Sequence, residues 1–337
     1  MTAPILLTGI TGFIAKRIAL DLLEAGHAVR GSLRSAGRQE EVRAALAAHV
    51  SDAAALDRLS FVTLDLADDA GWAEALSGAA ALVHTASPFP MVQPKNEDDI
   101  IRPAVDGTLR ALRAAQGAGV TRVIVTSSVV AIEATDKPQG AAYTEADWSE
   151  LDHPLSSPYY KSKTLAERAA WDFVAEHPEM QLTTINPTLV LGQPLDANYG
   201  TSLQLIERVL SGSDPMLPNI GFGVVDVADV SAAHVAALDR PETAGRRFIA
   251  CGTSATMPEI AKYLKAKYPD KKIATGVAPK LLLRILSLFD ASIKTVMPGL
   301  GRIPHYDTSA AEQDLGITFV PWETAVDRAS AAVIAKA

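Results

Sequence analysis

The first half of the chain alternates short apolar runs with stretches whose apolar residues recur at helical spacing. Ile5-Leu6-Leu7 is an unbroken apolar run, the pattern of a strand covered on both faces. A turn follows, and then Phe13, Ile14, Ile18, Leu22 and Ala25 fall on one face of a helix that Gly26 ends. The alternation repeats. Ala28 to Leu33, Phe61 to Leu66, Ala80 to His84 and Arg122 to Ser127 read as the second to fifth strands. Asp98 to Gln116 reads as a long helix despite Pro103, with Ile101, Val105, Leu109 and Leu112 on one face. Gln181 to Asn186 is a sixth strand, Gly223 to Val235 an extended run passing into a helix, and Arg247 to Ala250 a further strand. Strand and helix in strict alternation predict an α/β fold with a doubly wound parallel sheet.

The remainder, through Trp322, reads as mostly helical and predicts a smaller substrate lobe. Residues 1–188 are expected to form the nucleotide-binding domain, with 223–250 returning to it. Residues 189–222 and 251–337 are expected to form the lobe, interleaved with that domain. Gly192 to Asn198 and Ser211 to Gly223 are rich in Pro, Gly and Asn and read as loops that cap a site. Met216 and Phe222 are candidate pocket residues. Asp229 is expected to cap the helix after Gly223, with Asp226 as a structural hydrogen-bonding group and His234 packed.

The turn after the first strand carries the first chemistry. Gly9, Gly12 and Ala15 stand in a Gly-x-x-Gly-x-x-Ala pattern. Gly9 permits the turn, Gly12 leaves room for a pyrophosphate at the backbone, and Ala15 lets the helix pack closely on the strand. The helix N-terminus offers free N–H groups and a positive dipole end to a phosphate. Strand, turn and helix together predict a Rossmann-type dinucleotide site, with Thr8, Gly9, Thr11, Gly12, Phe13 and Ile14 against the cofactor. At the end of the second strand, where an NAD enzyme places an acid for the ribose hydroxyls, this chain has Ser32 and then Arg34, with Arg38 beyond. An arginine suits a 2′-phosphate and a carboxylate repels one, so Arg34 predicts NADP(H). Arg30 is placed within the strand. After the fourth strand, the small residues Thr85, Ala86 and Ser87 allow close approach to the cofactor, and Pro88, Phe89 and Met91 are an expected apolar wall for substrate. His84 reads as a buried strand residue.

Composition narrows the class. With 337 residues and 48% hydrophobic content the chain has ample core. A net charge of -8 argues against general binding to nucleic acid or anionic membranes. Cys251 is the single cysteine, so no intramolecular disulfide or thiolate cluster is possible, and no metal site is expected. Leu281 to Met297 is interrupted by Arg284, Asp290 and Lys294 and reads as an amphipathic helix rather than a membrane span. The first strand starts at once, without a leader, so a cytoplasmic protein is expected.

The second centre of chemistry is Tyr159 with Lys163, four residues apart on a predicted helix and so on one face. A free phenol titrates near pH ~10 and is a poor acid at neutral pH; a neighbouring ammonium favours the phenolate. Tyr159 could then give a proton to a carbonyl oxygen. Tyr160 lacks a lysine one turn on, and Lys161 lacks a phenol one turn back. At the end of the fifth strand stand Ser127 and Ser128, of which strand alternation lets only one face the cofactor.

The glycine spacing resembles that of the extended short-chain dehydrogenase/reductases. The runs Tyr159 to Trp171, Arg102 to Thr108 and Asn186 to Gly192 resemble the dihydroflavonol reductase-like group, which includes cinnamoyl-CoA reductases and microbial aldehyde and ketone reductases. The resemblance implies Ser128 as the catalytic serine, Asp65 and Leu66 at the adenine, and Pro187 and Thr188 at the nicotinamide carboxamide. It also implies Lys163 on the nicotinamide ribose. Ala104 occupies the place of the Asn that often serves as a fourth catalytic residue, and Glu133 that of an Asn favoured by plant flavonoid reductases. The expected activity is reversible NADPH-dependent reduction of an aldehyde or ketone, the partner being a small carbonyl compound and the protein a monomer or homodimer. A nucleotide-sugar epimerase or dehydratase is disfavoured by the missing ribose-binding acid, and a dehydratase also by Val129 and Val130 after Ser128. A non-catalytic NADP sensor would not need the Tyr159/Lys163 pair.

Overall fold

The computed structural model describes residues 3–87, 96–138, 140–289 and 291–336, with the side chains of 291 and 292 excepted. Pro88, Phe89 and Met91 lie outside the described residues. In chain order the elements are β1 (Ile5–Thr8), α1 (Phe13–Glu24), β2 (Val29–Leu33), α2 (Gln39–Ala47), β3 (Leu59–Thr63), α3 (Trp72–Leu76), β4 (Ala81–His84), α4 (Asp98–Gly117), β5 (Arg122–Thr126), α5 (Pro158–Glu176), β6 (Gln181–Pro187), β7 (Leu189–Leu191), α6 (Ser202–Ser211), β8 (Gly221–Asp226), α7 (Val227–Asp239), β9 (Arg246–Ala250), β10 (Thr253–Thr256), α8 (Met257–Lys267), α9 (Lys280–Leu286), α10 (Ala291–Val296), α11 (Ser309–Asp314) and α12 (Trp322–Lys336).

Seven strands form one parallel sheet in the order β3-β2-β1-β4-β5-β6-β9. The order reverses between β1 and β4, which opens a crevice at their carboxyl ends, where such sheets bind ligands. The sheet is covered on both faces, as its apolar strands require. α1, α2 and α7 close one face around Ile5, Leu7, Ile18, Leu22 and Val230. α3, α4 and α5 close the other around Leu6, Leu82, Leu112 and Val123. A second sheet, β10-β8-β7, packs with α6, α8 and α12 into the smaller lobe.

Local sequence explains where the key helix begins. Ser157 caps α5 by accepting the Tyr160 N–H, and Pro158 takes the first helical position, where no N–H is needed. Three sequence expectations need correction. The third strand ends at Thr63, so Asp65 lies beyond it, its carboxylate accepting the Ala67 N–H. Asp226, not Asp229, caps α7; Asp229 instead accepts the Val320 N–H at 2.9 Å, because the helix starts at Val227. The single helix expected over Leu281 to Met297 is two short ones, α9 and α10. Between the two expected loops runs α6, whose buried residues Leu203, Ile206, Val209 and Leu210 share a face and which ends at Gly212 in the left-handed conformation.

One buried tie holds the centre of the sheet to α5. Glu167 is 2% exposed and accepts from Ser127 of the β5 end, from Asn186 of β6 at 2.7 Å and from Arg247 of β9 at 2.6 Å. Breaking a buried charge pair from one side leaves the other charge uncompensated, at a cost of ~3–5 kcal/mol. Glu167→Leu is therefore expected to lower unfolding free energy by about that amount, read from urea denaturation with an unchanged slope; a loss below about 1 kcal/mol would show that Arg247 finds other partners.

Candidate active site

A cleft of about 610 Å³ opens along the carboxyl ends of the parallel strands. Gly9, Gly12, Phe13 and Ile14 line it from the first turn, Thr85 and Ser87 from the β4 end, and Ser128, Tyr159 and Lys163 from β5 and α5. Pro187 and Thr188 line it from the β6 end. Residues from five separate chain segments thus meet in one place.

The glycine turn is shaped for a phosphate-bearing group. Gly9 has φ +69°, and a Cβ there would come within 3.0–3.1 Å of Ala86, so turn and wall are in contact. Gly12 is the N-cap of α1, has no side-chain cap, and no acid stands in the first turn. The first N–H groups of the helix therefore face the cleft without a competing carboxylate. Gly9 N donates to Ser32 Oγ at 3.1 Å, which ties the turn to β2. Arg34 is exposed just past β2, whereas Arg38 forms a bidentate pair with Glu41 at 2.7 and 2.8 Å. Arg30 is not at the site. It donates to the carbonyls of Ala75 and Ser77, at 2.6 and 3.0 Å, at the C-terminal end of α3.

Thr8 and His84 sit beneath the cleft as a fixed pair. Thr8 Oγ1 accepts the N–H groups of Thr85 and Ala86, both at 3.1 Å. With both lone pairs used, its hydroxyl proton must go to His84 Nδ1, 3.0 Å away. His84 therefore carries its own proton on Nε2, and burial, then the Lys163 charge, hold it neutral by pushing its pKa down to about 4. Thr8 and Ala86 thus shape the site from behind, while Asp65, Leu66 and Thr11 do not line the described cleft. Leu66 packs beside the α4 core.

Ser127 and Ser128 are separated by their partners. Ser127 turns inward to Glu167. Ser128 faces the cleft, and its hydroxyl hydrogen-bonds the Tyr159 phenol. The phenol is pushed up to about 12, chiefly by burial, with the Ser128 contact acting the other way. Burial likewise pushes Lys163 down to about 8, opposed by Glu167 one turn along α5. The expectation that the ammonium would lower the phenol pKa needs correction: desolvation dominates at both groups, and each is driven toward its neutral form.

The far wall contains residues the sequence did not single out. Tyr160 donates to Glu133 Oε1 at 2.6 Å, and Tyr306 donates to Glu133 Oε2. Arg302 donates to the Glu133 carbonyl at 2.7 Å and to the Tyr143 hydroxyl at 2.9 Å. Burial, then the Glu133 charge, raise both Tyr160 and Tyr306 well above the ordinary phenol range. Glu133 is 6% exposed, and these donors satisfy its buried carboxylate oxygens. Leu155, Leu205, Ile220 and Phe222 complete an apolar wall. Met216, the other expected pocket residue, is surface-exposed and does not line the cleft. No group of three His, Cys, Asp or Glu is placed to hold a metal among the described residues.

Comparison with known proteins defines the class. Residues 5–256 match the NAD dependent epimerase/dehydratase family, and the chain belongs to it. Within it the chain is an extended short-chain oxidoreductase related to plant and fungal reductases. Anthocyanidin reductase of Vitis vinifera is 30% identical over 79% of this chain and 81% of its own length. Tetraketide alpha-pyrone reductase 2 of Arabidopsis thaliana is 33% identical over 79% of this chain and 83% of its own. Among solved structures, yeast methylglyoxal/isovaleraldehyde reductase Gre2, complexed with NADPH, superposes with a TM-score of 0.81 at 25% identity. It covers 99% of this chain and 98% of its own.

Proposed function

We propose that this chain reduces an aldehyde or ketone to the alcohol with NADPH, Tyr159 supplying the proton. The observation that carries the residue roles is the convergence of Ser128, Tyr159 and Lys163 in one cleft with the uncapped glycine turn. NADPH, when bound, supplies hydride to the carbonyl carbon. Ser128 and Tyr159, within hydrogen-bond reach of each other, would exchange that mutual bond for one donated by each hydroxyl to the carbonyl oxygen. Tyr159 remains protonated at neutral pH because burial opposes its ionisation, so it is ready to act as an acid in the reduction direction. As the proton leaves, the Lys163 ammonium on the next turn of α5 stabilises the phenolate. This is the point at which the lysine acts: on the charge that develops, rather than on the resting phenol.

The residues that would hold NADPH are Gly9, Gly12, Phe13 and Ile14 at the phosphates and Arg34 at the 2′-phosphate, with Thr8 and Thr11 supporting the turn. Asp65 and Leu66 would lie at the adenine, Thr85, Ala86 and Ser87 at the central riboses, Tyr159 and Lys163 at the nicotinamide ribose, and Pro187 and Thr188 at the carboxamide. The apolar wall suits a carbonyl compound with an apolar body. The engaged Glu133 carboxylate leaves little acceptor capacity for a polyphenol. A net charge of -8 favours a small-molecule partner over nucleic acid, and no helix among the described residues is long and apolar enough to cross a membrane. The same reading takes the enzyme as cytoplasmic, and as a monomer or homodimer.

Three outcomes test this. Tyr159→Phe should lower kcat for carbonyl reduction by roughly 10²–10⁴-fold, the span general acids contribute, with the NADPH Kd little changed; undiminished turnover removes the assignment. Reduction should fall as pH rises through about 8, where the Lys163 ammonium is lost. Tyr159, at about 12, stays protonated across that range, so a rate flat to pH ~10, the ordinary phenol value, would refute the role given to Lys163. Arg34→Ala should weaken NADPH by roughly tenfold or more, as expected for a lost charge-assisted bond, and leave NADH nearly unaffected; an equal effect on both would end the case for a 2′-phosphate contact.

A further inference from the structure

Lys16 heads the largest fully buried side chains of the described residues, at 1% exposure. It lies on α1 one turn past Gly12, and its ammonium points into the loop that follows β7. There it pairs with the Asp196 carboxylate and donates to the Asn198 carbonyl at 3.2 Å. Asn198 Nδ2 in turn donates to Glu41 Oε1 of α2 at 3.1 Å, and that oxygen lies 3.9 Å from Lys16 Nζ. One charged knot therefore joins α1, α2 and the 192–201 loop. The loop runs on through Tyr199, Gly200 and Thr201, which line the same cleft as the glycine turn.

Burying an ammonium is costly, and an apolar contact would anchor a loop at least as well. Leu195 already does so, packed in the main core. An ion pair differs in one respect: water can replace each partner, so it parts without a core being repacked. Asp196 keeps 19% of its side chain exposed while Lys16 keeps 2%, so solvent reaches the pair from the loop side. We propose that Lys16 and Asp196 are positioning residues that latch the 192–201 loop over the cofactor cleft, so that NADP(H) leaves only when the pair opens. This rests on the reading above that the cleft takes NADP(H), and it assigns the loop and its latch control over how fast the cofactor is released.

The test is stopped-flow dissociation of NADPH, followed by its fluorescence, from the full-length protein and three variants. Asp196→Asn and Lys16→Met, which remove either charge, should raise the dissociation rate by at least about tenfold, the effect of losing ~1.4 kcal/mol of closure, while association changes little. Asp196→Glu, which keeps the charge on the more exposed partner, should restore slow release. Lys16→Met keeps the test open if the unpaired ammonium of Asp196→Asn prevents folding. A lowered Tm with unchanged dissociation in Lys16→Met would mean that the pair only supports the fold, and would overturn the latch. Absence of NADPH binding to the unaltered protein would overturn the cofactor reading and the latch with it; binding with unchanged release in the variants would overturn the latch alone.

Discussion

Glu167 brings a carboxylate to 2% exposure between α5 and the carboxyl half of the sheet, and a charge there must be met by donors from every side. β5 supplies Ser127, β6 supplies Asn186 and Thr184, and β9 supplies Arg247. Each donor ties the strand that carries it to α5. Because Ser127 is drawn inward, its neighbour Ser128 must face the cleft. Because Glu167 stands one turn after Lys163 on α5, the same anchor sets the rotation of the helix and so the direction in which Tyr159 and Lys163 project. Asn186 also donates to the Ser128 carbonyl at 3.2 Å, so the serine is held from both its flanks.

The anchor has an electrostatic consequence as well. Burial drives Lys163 toward its neutral form, and Glu167 is the group that opposes it. The lysine is left near 8 and remains mainly an ammonium at neutral pH. The phenol beside it is pushed in the opposite numerical direction by the same desolvation. The two shifts together suit an acid that must hold its proton at rest and lose it only when the carbonyl oxygen becomes basic. A site that lowered the phenol pKa at rest would hold more phenolate and less acid. His84 adds to this economy: fixed as the Nε2–H tautomer by Thr8 and held neutral, it places no second charge near the lysine.

What the sequence shows depends on whether the residues concerned are close along the chain. The glycine turn, its strand and its helix occupy one short segment, and local rules read all of it. Tyr159 and Lys163 are four apart, a spacing that defines a helix face. Arg34 is legible because of what a strand end usually carries. By contrast, nothing near Arg302 or Tyr306 hints that they meet Glu133, more than 160 positions earlier; only packing of the second lobe brings them together. The choice between Ser127 and Ser128 likewise turned on a partner beyond the strand. The exchange of roles between Asp226 and Asp229 reflects uncertainty over one helical turn, since either suits an N-cap. α6 follows local rules as well: Leu203, Ile206, Val209 and Leu210 followed by Gly212 carry both the apolar face and the stop.

The two halves of the cleft are built by different means, and their chemistry follows from that. The cofactor half uses turns, helix ends and small residues, because a pyrophosphate is recognised by backbone N–H groups that any sequence possesses once the side chains are out of the way. On the proposed reading its specificity would enter through few side chains, Arg34 among them. The substrate half is walled by side chains from distant segments: Glu133 after β5, Tyr160 on α5, Phe222 on β8, and Arg302 and Tyr306 near the C-terminus. There the polar groups satisfy one another, with both Glu133 oxygens accepting phenolic protons. What this wall presents to the cleft is consequently an apolar surface beside the Ser128 and Tyr159 hydroxyls. Such a wall can be reshaped by substitution without disturbing the Ser128/Tyr159/Lys163 geometry, whose anchor lies on the opposite side of α5.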